Sequence, residues 1–449
     1  MAAMTLRLVA ISVACLAAAA QATSAQALTL MEAYDAALIN DPTYRSAQRE
    51  NDAGKQFAVI GKSNLLPNVS ANYSTGKNEA DITTSTALGD RFENRNYTSL
   101  NASIQLRQPL FHPEGLARYR QGNAQTNFSD AQFLARRQDL ILRLFGLYST
   151  AKYAEDQLAQ ATAQRDAFSE QRKANVRLLD RGEGTRTDVL ETQAKFDQAE
   201  ATVLEARDSL VNARAALAVM VGQDVTALDN LSSDFKLRPM LPETFEAWKE
   251  LALAGNAEIA AQRYTVEVAS EELKKNQAGH SPRLDLVANI SRSGSDTINS
   301  FNQSANIRSI GIQLNLPLYA GGAVSASVSQ SASNLEKAKA DLDSKTSQVL
   351  VELRKQYNLT LSSVLRIGAA EKSLASARLL VEATQKSVKG GQRTNLDVLN
   401  AQQQSFEAIR DLALARYNYL LAFLRLRFSA GTLTQGDLKD ISGYFVADR

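Results

Sequence analysis

The sequence has very little cysteine and histidine, the residue types from which many metal and catalytic sites are built. Its 449 residues contain one cysteine, Cys15, and two histidines, His112 and His280. No group of His, Cys and carboxylate side chains has the spacing of a metal site. Nucleophile-elbow, phosphate-loop and dinucleotide-binding motifs are absent as well. The sequence therefore predicts a protein that is not an enzyme and that needs no cofactor or metal.

Proline, glycine and aromatic residues are also scarce. With 8 prolines, 22 glycines and 6% aromatic residues, the composition is typical of long uninterrupted helices rather than of many short elements. Lys and Arg (50) nearly balance Asp and Glu (48), and no basic patch contains interleaved aromatic residues. Nucleic acid is therefore not expected as a partner.

Long apolar runs are missing beyond the N-terminus. Residues 1–27 combine a basic start, an apolar stretch and an A-x-A ending, which predicts a cleaved export signal. Cys15 would be removed with it, and a lipoprotein interpretation of Cys15 fits poorly because Ser12 lies where a bulky aliphatic residue is expected. No other stretch approaches the roughly 18 apolar residues of a membrane helix. If the exported chain enters a membrane, it does so as strands.

The sequence contains two copies of one pattern. The stretch 104–111 is answered by 312–319, and further residues recur about 209 positions later in the chain. The recurring pairs are Gly182 and Gly391, Thr185 and Thr394, Asp188 and Asp397, and Gly222 and Gly431. The predicted organisation is a first repeat over 28–222, a linker over 223–242, a second repeat over 243–431 and a tail over 432–449.

Alternation of apolar and polar residues predicts two strands in each repeat, over 67–77, 98–110, 283–292 and 305–318, with polar loops near 77–97 and 292–305. In the second strand Ile104 and Leu106 share one face, and Gln105 and Arg107 share the other. Strands of about 9–11 residues match a tilted membrane crossing, with the apolar face toward lipid and the polar face toward a water-filled lumen. Two hairpins of a soluble sandwich would alternate in the same way, but no other strands are predicted for them to pack on.

Four long helices are predicted, over 113–180, 187–221, 321–389 and 395–430, with shorter helices near 28–40 and 243–255. Val189, Phe196 and Val203 recur every seven residues, which indicates a coiled-coil seam. A second apolar row in the last long helix indicates neighbours on both sides, as in a cylinder of helices. An ordinary soluble coiled coil would explain the seam but not the strands.

Four strands cannot close a barrel, and an open strand edge is costly in lipid. The barrel is therefore expected to be shared between chains. Two chains would supply eight strands, whose interior side chains fill, whereas three would supply twelve and leave a lumen. The polar inner face favours three. The predicted fold class is an α+β membrane protein with a shared trimeric 12-stranded β-barrel, continued by a long helical coiled-coil barrel, built from an internal twofold repeat.

The turns between paired long helices carry the candidate site. Thr185 and Thr394 each precede an acid by three residues, Asp188 and Asp397, which is the pattern of a helix capping box. Only the second copy places Asp397 and Asn400 three apart on one helix face. Around a threefold axis they would form a ring that binds cations and narrows a channel. The capping and ring interpretations both remain open from the residues alone.

The chain resembles the TolC family of outer-membrane channel-tunnel proteins over essentially its whole mature length. The most specific stretches are 392–399 (QRTNLDVL), 415–420 (ARYNYL) and the doubled strand ends. The resemblance implies a homotrimer with twelve strands in outer-membrane lipid and twelve helices reaching across the periplasm. It also implies a channel that is closed at its inner end until an inner-membrane partner engages.

By the same resemblance, Asp397 corresponds to the first acid of the periplasmic entrance ring, and Asn400 stands where a second acid is usual. Arg393 resembles the arginine that ties the inner helical hairpin to the outer one, with Thr187 and Asp188 as its partners in an inter-hairpin latch. The tyrosine expected five residues before that arginine is Val388 here. The ring is therefore expected to carry less charge, and part of the latch to be missing.

The function expected from this resemblance is export across the outer membrane in a type I secretion system. The partners would be an inner-membrane ABC transporter and a periplasmic membrane-fusion adaptor. Two alternatives remain open: the outer-membrane component of a multidrug efflux pump, and, from another class of protein, a soluble periplasmic coiled-coil adaptor.

Overall fold

The computed structural model describes residues 27–232, 234–295 and 303–446. The predicted export signal over 1–27 lies outside the described residues except for its last position. Most of the connection between the last two predicted strands, residues 296–302, lies outside them as well.

The elements of the first half are α1 (Leu30–Asn40), α2 (Pro42–Gly54), α3 (Gln56–Ser63), β1 (Asn68–Thr86), β2 (Gly89–Phe111), α4 (Pro113–Asp180) and α5 (Arg186–Val221). After β3 (Asn230–Leu231) follow α6 (Phe245–Gly255), α7 (Ala257–Gln277), β4 (Arg283–Ser295), β5 (Gln303–Asn315), α8 (Ala323–Lys389) and α9 (Asn395–Ser429). The chain ends in α10 (Gln435–Ser442) and β6 (Phe445–Val446). The bounds of the four long helices lie within two residues of those expected from the sequence.

The chain divides into two compact units. One comprises Met1–Ser46, Arg136–Asn256 and Val349–Arg449, and the other comprises Ala47–Ala135 and Ala257–Gln348. We call them the core unit and the sheet unit. Each collects segments from both sequence repeats, because the repeats pair side by side rather than folding one after the other.

The sheet unit contains a four-stranded antiparallel sheet in the order β1-β2-β4-β5. β1 pairs with β2 along its whole length, from Asn68 opposite Arg107 to Thr86 opposite Gly89, whereas β4 pairs with β2 only from Ser99 onwards. The prediction of a loop over 77–97 was therefore wrong. This two-stranded part is polar on both faces, so its sequence carries no apolar alternation from which a strand could be recognised.

The second hairpin also differs from the prediction. β4 continues to Ser295 and β5 starts at Gln303, inside the expected loop over 292–305, while β5 ends at Asn315 rather than at residue 318. Pro317 explains the early end, because proline has no backbone N–H to donate to a neighbouring strand.

The register of the sheet separates two chemically different faces. One row across all four strands is apolar: Val69, Leu106, Ala288 and Ile310. The next row, displaced by one residue and on the opposite face, is polar: Ser70, Gln105, Asn289 and Ser309. The apolar face is open, since Ile104 is 52% and Ile310 is 75% exposed.

Short helices that the sequence did not reveal lie beside the long ones. In the sheet unit, Gly54 of α2 approaches Ser129 so closely that a Cβ would lie 2.2 Å from the serine hydroxyl. A Cβ on Gly122 of α4 would lie 2.4 Å from the carbonyl oxygen of Phe57 in α3. Glycine is required where a backbone carbonyl comes this close, as at Gly122. Because these contacts depend on small residues, no pattern of large apolar side chains marks α2 and α3 in the sequence.

The hydrophobic centre of the core unit includes the C-terminal segment. Leu438 and Ile441 of α10 are fully buried, and Phe445 packs edge-to-face on Tyr148 at 5.4 Å between ring centroids. β6 pairs antiparallel with β3. The described part of the tail predicted over 432–449, residues 432–446, is thus packed into the core unit.

The repeat in the sequence reappears as paired helix ends. The glycines of the recurring pairs, Gly182 with Gly391 and Gly222 with Gly431, all adopt positive φ between 70° and 78°. At the ends of α5 and α9 an asparagine amide caps the last turn: Asn40 donates to the carbonyl of Val221 at 2.6 Å, and Asn256 to that of Ser429 at 2.9 Å. The same capping arrangement therefore ends the return helix of each half.

Candidate functional site

The candidate site consists of the two turns that join α4 to α5 and α8 to α9, which we call the helical tips. At the first tip Gly182 has φ 74°, and the amide of Glu183 donates to the carbonyl of Leu178 at 2.9 Å. At the second, Gly391 has φ 70°, and the amide of Gln392 donates to the carbonyl of Ser387 at 3.0 Å. Both helices therefore end in the same left-handed glycine turn.

At the first tip, Thr185 and Asp188 form a reciprocal capping box. The amide of Asp188 donates to the Thr185 hydroxyl at 3.1 Å, and the amide of Thr185 donates to the Asp188 carboxylate at 3.2 Å. Thr187 beside them is exposed. The negative charge of the Asp188 carboxylate is also stabilised by the positive end of the helix dipole.

At the second tip, the Asp397 carboxylate accepts hydrogen bonds from both the amide and the hydroxyl of Thr394, each at 2.9 Å. These bonds, together with the weaker attraction of Arg393, lower the pKa of Asp397 below its ordinary value. The acid is therefore ionised at neutral pH. The capping role that the sequence suggested for both acids is present in the structure, and it leaves the Asp397 side chain 38% exposed.

Arg393 lies beside its own helix rather than against the other hairpin. Its Nη1 is 3.9 Å from the Asp397 carboxylate, and its side chain is 55% exposed. Among the residues described, it makes no hydrogen bond or ion pair with Thr187 or Asp188. Asn400 is exposed one turn further along α9. The guanidinium and the two ring candidates are thus all accessible to a neighbouring chain.

Inside one chain the two helical hairpins are joined by other side chains. Gln171 of α4 donates to the amide oxygen of Asn395 in α9 at 2.8 Å, and Lys195 of α5 donates to Gln403 in α9 at 2.8 Å. Sequence reasoning missed both pairs, because they join residues that are more than 200 positions apart and follow no motif.

A small apolar cluster lies between these two hydrogen bonds. Phe168 of α4, Ala199 of α5 and Leu399 of α9 are at most 3% exposed and pack together. Ala199 lies three residues after Phe196 of the seven-residue apolar pattern, so the predicted coiled-coil seam already placed this residue close to a helix–helix contact.

A buried polar contact ties α4 to α5 near the first tip. Asn175 donates to the Thr192 hydroxyl at 2.7 Å, and that hydroxyl donates to the Asp188 carbonyl at 2.6 Å. Asn175 is 4% and Thr192 0% exposed. Thr192 lies three residues after Val189 of the seven-residue apolar pattern, but no motif in the sequence indicated Asn175 as its partner.

A charged cluster is buried deeper in the core unit. Lys152 is 4% exposed and lies 3.1 Å from Glu155 and 3.4 Å from Asp156. The Tyr417 hydroxyl donates to Asp156 at 2.8 Å. Burial raises the pKa of both Asp156 and Tyr417. This arrangement joins α4 to α9 through a network of paired groups, as buried charges require.

Comparison with known proteins identifies the family. The family model for outer membrane efflux proteins matches residues 33–223 and 248–432, which is most of the chain. The chain belongs to the outer membrane efflux protein family. It is an outer-membrane protein, and the prediction of a transport protein rather than an enzyme is confirmed.

Relatives of this family cover nearly the whole chain. The alkaline protease secretion protein AprF of Pseudomonas aeruginosa is 42% identical over 94% of this chain and 88% of its own length. The proteases secretion protein PrtF of Dickeya chrysanthemi is 38% identical over 94% of this chain and 92% of its own length. The outer membrane protein TolC of Vibrio cholerae is 29% identical, with coverage of 92% and 93%. The resemblance to the TolC family is thereby confirmed.

Solved channel structures share the fold. The outer membrane protein VceC of Vibrio cholerae superposes with a TM-score of 0.74 at 19% identity, over 90% of this chain and 96% of its own. The CmeC outer membrane channel of Campylobacter jejuni gives 0.77 at 16% identity, with coverage of 93% and 90%. In the described part of this chain, none of the helices is both long and apolar enough to cross a membrane.

Proposed function

We propose that three copies of this chain form the outer-membrane export duct of a type I secretion system. The observation that carries the proposal is the sheet, which has one open apolar face and one polar face in a single register. In the described residues, β1 and β5 each pair with a strand on one side only. Three such sheets, joined at these edges, supply twelve strands. The backbone N–H and C=O groups at the edges then pair with a neighbouring chain, since lipid offers them no hydrogen-bond partner.

In the proposed assembly, the four long helices of each chain form part of a periplasmic tunnel. Two hydrogen bonds and one apolar cluster hold the two helical hairpins of one chain together. The hydrogen bonds join Gln171 to Asn395 and Lys195 to Gln403, and the cluster contains Leu399. The exposed Arg393 is then free to pair with Thr187 and Asp188 of a neighbouring chain. Asp397 and Asn400 form the entrance ring around the threefold axis, where an ionised Asp397 attracts cations.

The cargo class is suggested by the relatives. AprF and PrtF both bear names of protease secretion and match almost the full chain. Secreted protein is therefore the favoured cargo, delivered by an inner-membrane ABC transporter through a periplasmic membrane-fusion adaptor. Multidrug efflux is the second candidate, because the outer membrane efflux protein BepC of Brucella suis is 28% identical over 85% of this chain.

Deletion of the gene in its own host tests the assignment. The proteins in the culture medium and the growth-inhibiting concentrations of several drugs would be compared with those of the parent strain. Loss of secreted proteins with unchanged drug tolerance is expected. Unchanged secretion with increased drug sensitivity would instead establish the efflux function. Recovery of the protein from envelopes without detergent would favour the soluble adaptor and contradict both channel assignments.

A further inference from the structure

The apolar face of the sheet ends in arginine on two neighbouring strands. On β4 the residues of this face are Leu284, Leu286, Ala288 and Ile290, followed by Arg292. On β5, read toward the same end, they are Leu314, Ile312 and Ile310, followed by Arg308. Each arginine is thus the first residue after the aliphatic run, on the side where β4 and β5 are connected.

The register brings the two arginines together. Arg308 lies opposite Ile290, and Arg292 lies opposite Asn306, so the arginines are diagonal neighbours on one face. Diagonal Cα atoms in such a pair are about 7–8 Å apart. Both side chains are exposed, and neither has a hydrogen bond or ion pair within residues 27–232, 234–295 and 303–446.

A tyrosine belongs to the same row. Arg292 lies opposite Ala102 of β2, which lies opposite Tyr73 of β1. Tyr73 is 67% exposed. Tyrosine is enriched where a membrane protein meets the lipid headgroups, since its ring is apolar and its hydroxyl is polar.

These groups fit one kind of ligand. A guanidinium presents several N–H groups in a planar fork that matches phosphate oxygens, and two of them lie directly beside aliphatic side chains. Ile290 and Ile310 are 57% and 75% exposed, which provides a surface for acyl chains just below the cations. A free anion would gain no binding energy from the aliphatic surface. A phosphorylated lipid would contact both the guanidinium groups and the aliphatic side chains.

We propose that Arg292 and Arg308 hold the phosphate of a membrane lipid whose acyl chains cover Ile290 and Ile310. The site rests on the proposed function, because it requires the apolar face to lie in the bilayer. It would fasten one hairpin of each chain to the headgroup layer at a fixed depth.

Native mass spectrometry of the full-length protein in detergent tests the site with defined probes. Phosphatidic acid, phosphatidylcholine and inorganic phosphate would be added separately to the parent protein. The same additions would be made to the double variant Arg292→Gln/Arg308→Gln. The matched control is Arg91→Gln/Arg107→Gln, which removes the same charge from the same sheet, outside this row.

The parent is expected to retain phosphatidic acid more strongly than phosphatidylcholine, and the double variant to lose about 25-fold in phosphatidic acid affinity. Each cation near an anionic lipid is worth about a factor of five. The control variant should keep the parent's affinity. Equal retention by the parent and the double variant would overturn the site, as would displacement of the lipid by an equal concentration of inorganic phosphate.

The same spectra separate this inference from the function on which it rests. A trimer that shows no preference for phosphatidic acid overturns the lipid site and leaves the duct intact. A parent protein that is monomeric in every detergent overturns both.

Discussion

At the residue scale, the helical tips carry side chains that cap a helix within the chain and that also have a role in the duct we propose. Asp397 accepts two hydrogen bonds from Thr394 and is still partly exposed, and the Arg393 side chain beside it is 55% exposed. The helix cap at this tip requires the Asp397 carboxylate but not the Arg393 guanidinium. The exposed arginine has no comparable function inside one chain, and this favours a contact with a neighbouring chain.

The first prediction concerns this tip. In the proposed duct, Arg393→Ser is expected to leave the trimer folded but to raise its conductance in planar bilayers, because it would remove the latch between neighbouring hairpins. Asp397→Ala is expected to weaken block by divalent cations with little change in open conductance, because it removes charge from the ring without cutting a tie.

Two controls match these variants. Lys386→Ser removes an exposed ion pair with Glu382 from the same end of α8 and should leave conductance unchanged. Thr394→Val loosens the same helix start by roughly 1 kcal/mol without removing ring charge, and should leave cation block unchanged. If Arg393→Ser and Asp397→Ala also behave like the parent, both residues act only at the helix ends.

The second prediction concerns the buried contact behind the first tip. Thr192→Val keeps the shape of the side chain but removes the shorter of the two hydrogen bonds that the buried Asn175 amide donates, so the free energy of unfolding should fall by about 1–3 kcal/mol. Thermal unfolding of the purified protein measures the change. Thr202→Val, at an exposed position of the same helix, should have a much smaller effect.

At the scale of elements, the two faces of the sheet allow a sharp comparison of adjacent positions. Leu106→Arg places a charge in the apolar row with Val69, whereas Gln105→Arg places one in the polar row with Ser70. An arginine facing lipid near the bilayer midplane costs about 2–4 kcal/mol, and one facing the lumen costs little.

The third prediction is therefore that Leu106→Arg strongly reduces the amount of trimer in outer membranes and Gln105→Arg does not. Quantitative blotting of membrane fractions from cells that express each variant measures the difference. Equal amounts of both variants would show that the apolar row does not face lipid.

An element or contact can be predicted when the residues that indicate it lie close together in the sequence. The ends of α4 and α5 could be located because glycines, a capping threonine and an apolar seven-residue period coincide there. The ribbon over 77–97 could not, since it has no apolar alternation, and the short helices α2 and α3 could not, since they bury only small or polar residues: Ala47, Asn51, Gly54 and Gly61. The contacts of Lys152 with Asn230 and of Gln171 with Asn395 join distant positions, so only the folded chain reveals them.

At the scale of the whole molecule, the duplicated sequence gives each chain two similar β-hairpins, which in the proposed duct become part of a shared barrel. The sheet has too few strands to close on itself and exposes aliphatic side chains that a soluble monomer would bury. Assembly in a membrane removes both problems at once.

The fourth prediction is that the protein purified in mild detergent is a trimer. Mass photometry or native mass spectrometry determines the number of chains directly, and cross-linking in intact membranes provides an independent check. A stable monomer or dimer would contradict the shared barrel, because neither supplies enough strands for a lumen lined by Gln105 and Asn289.

The far halves of β1 and β2 form a two-stranded ribbon whose turn is a suitable site for a label. It extends beyond the last residue paired with β4 and closes in a two-residue turn at Ala87 and Leu88, where Leu88 is fully exposed. Because α4 starts at the opposite end of β2, the proposed duct would place this turn outside the cell. A short peptide tag placed there would be displayed to antibodies on living cells, and individual ducts could be counted without opening the envelope.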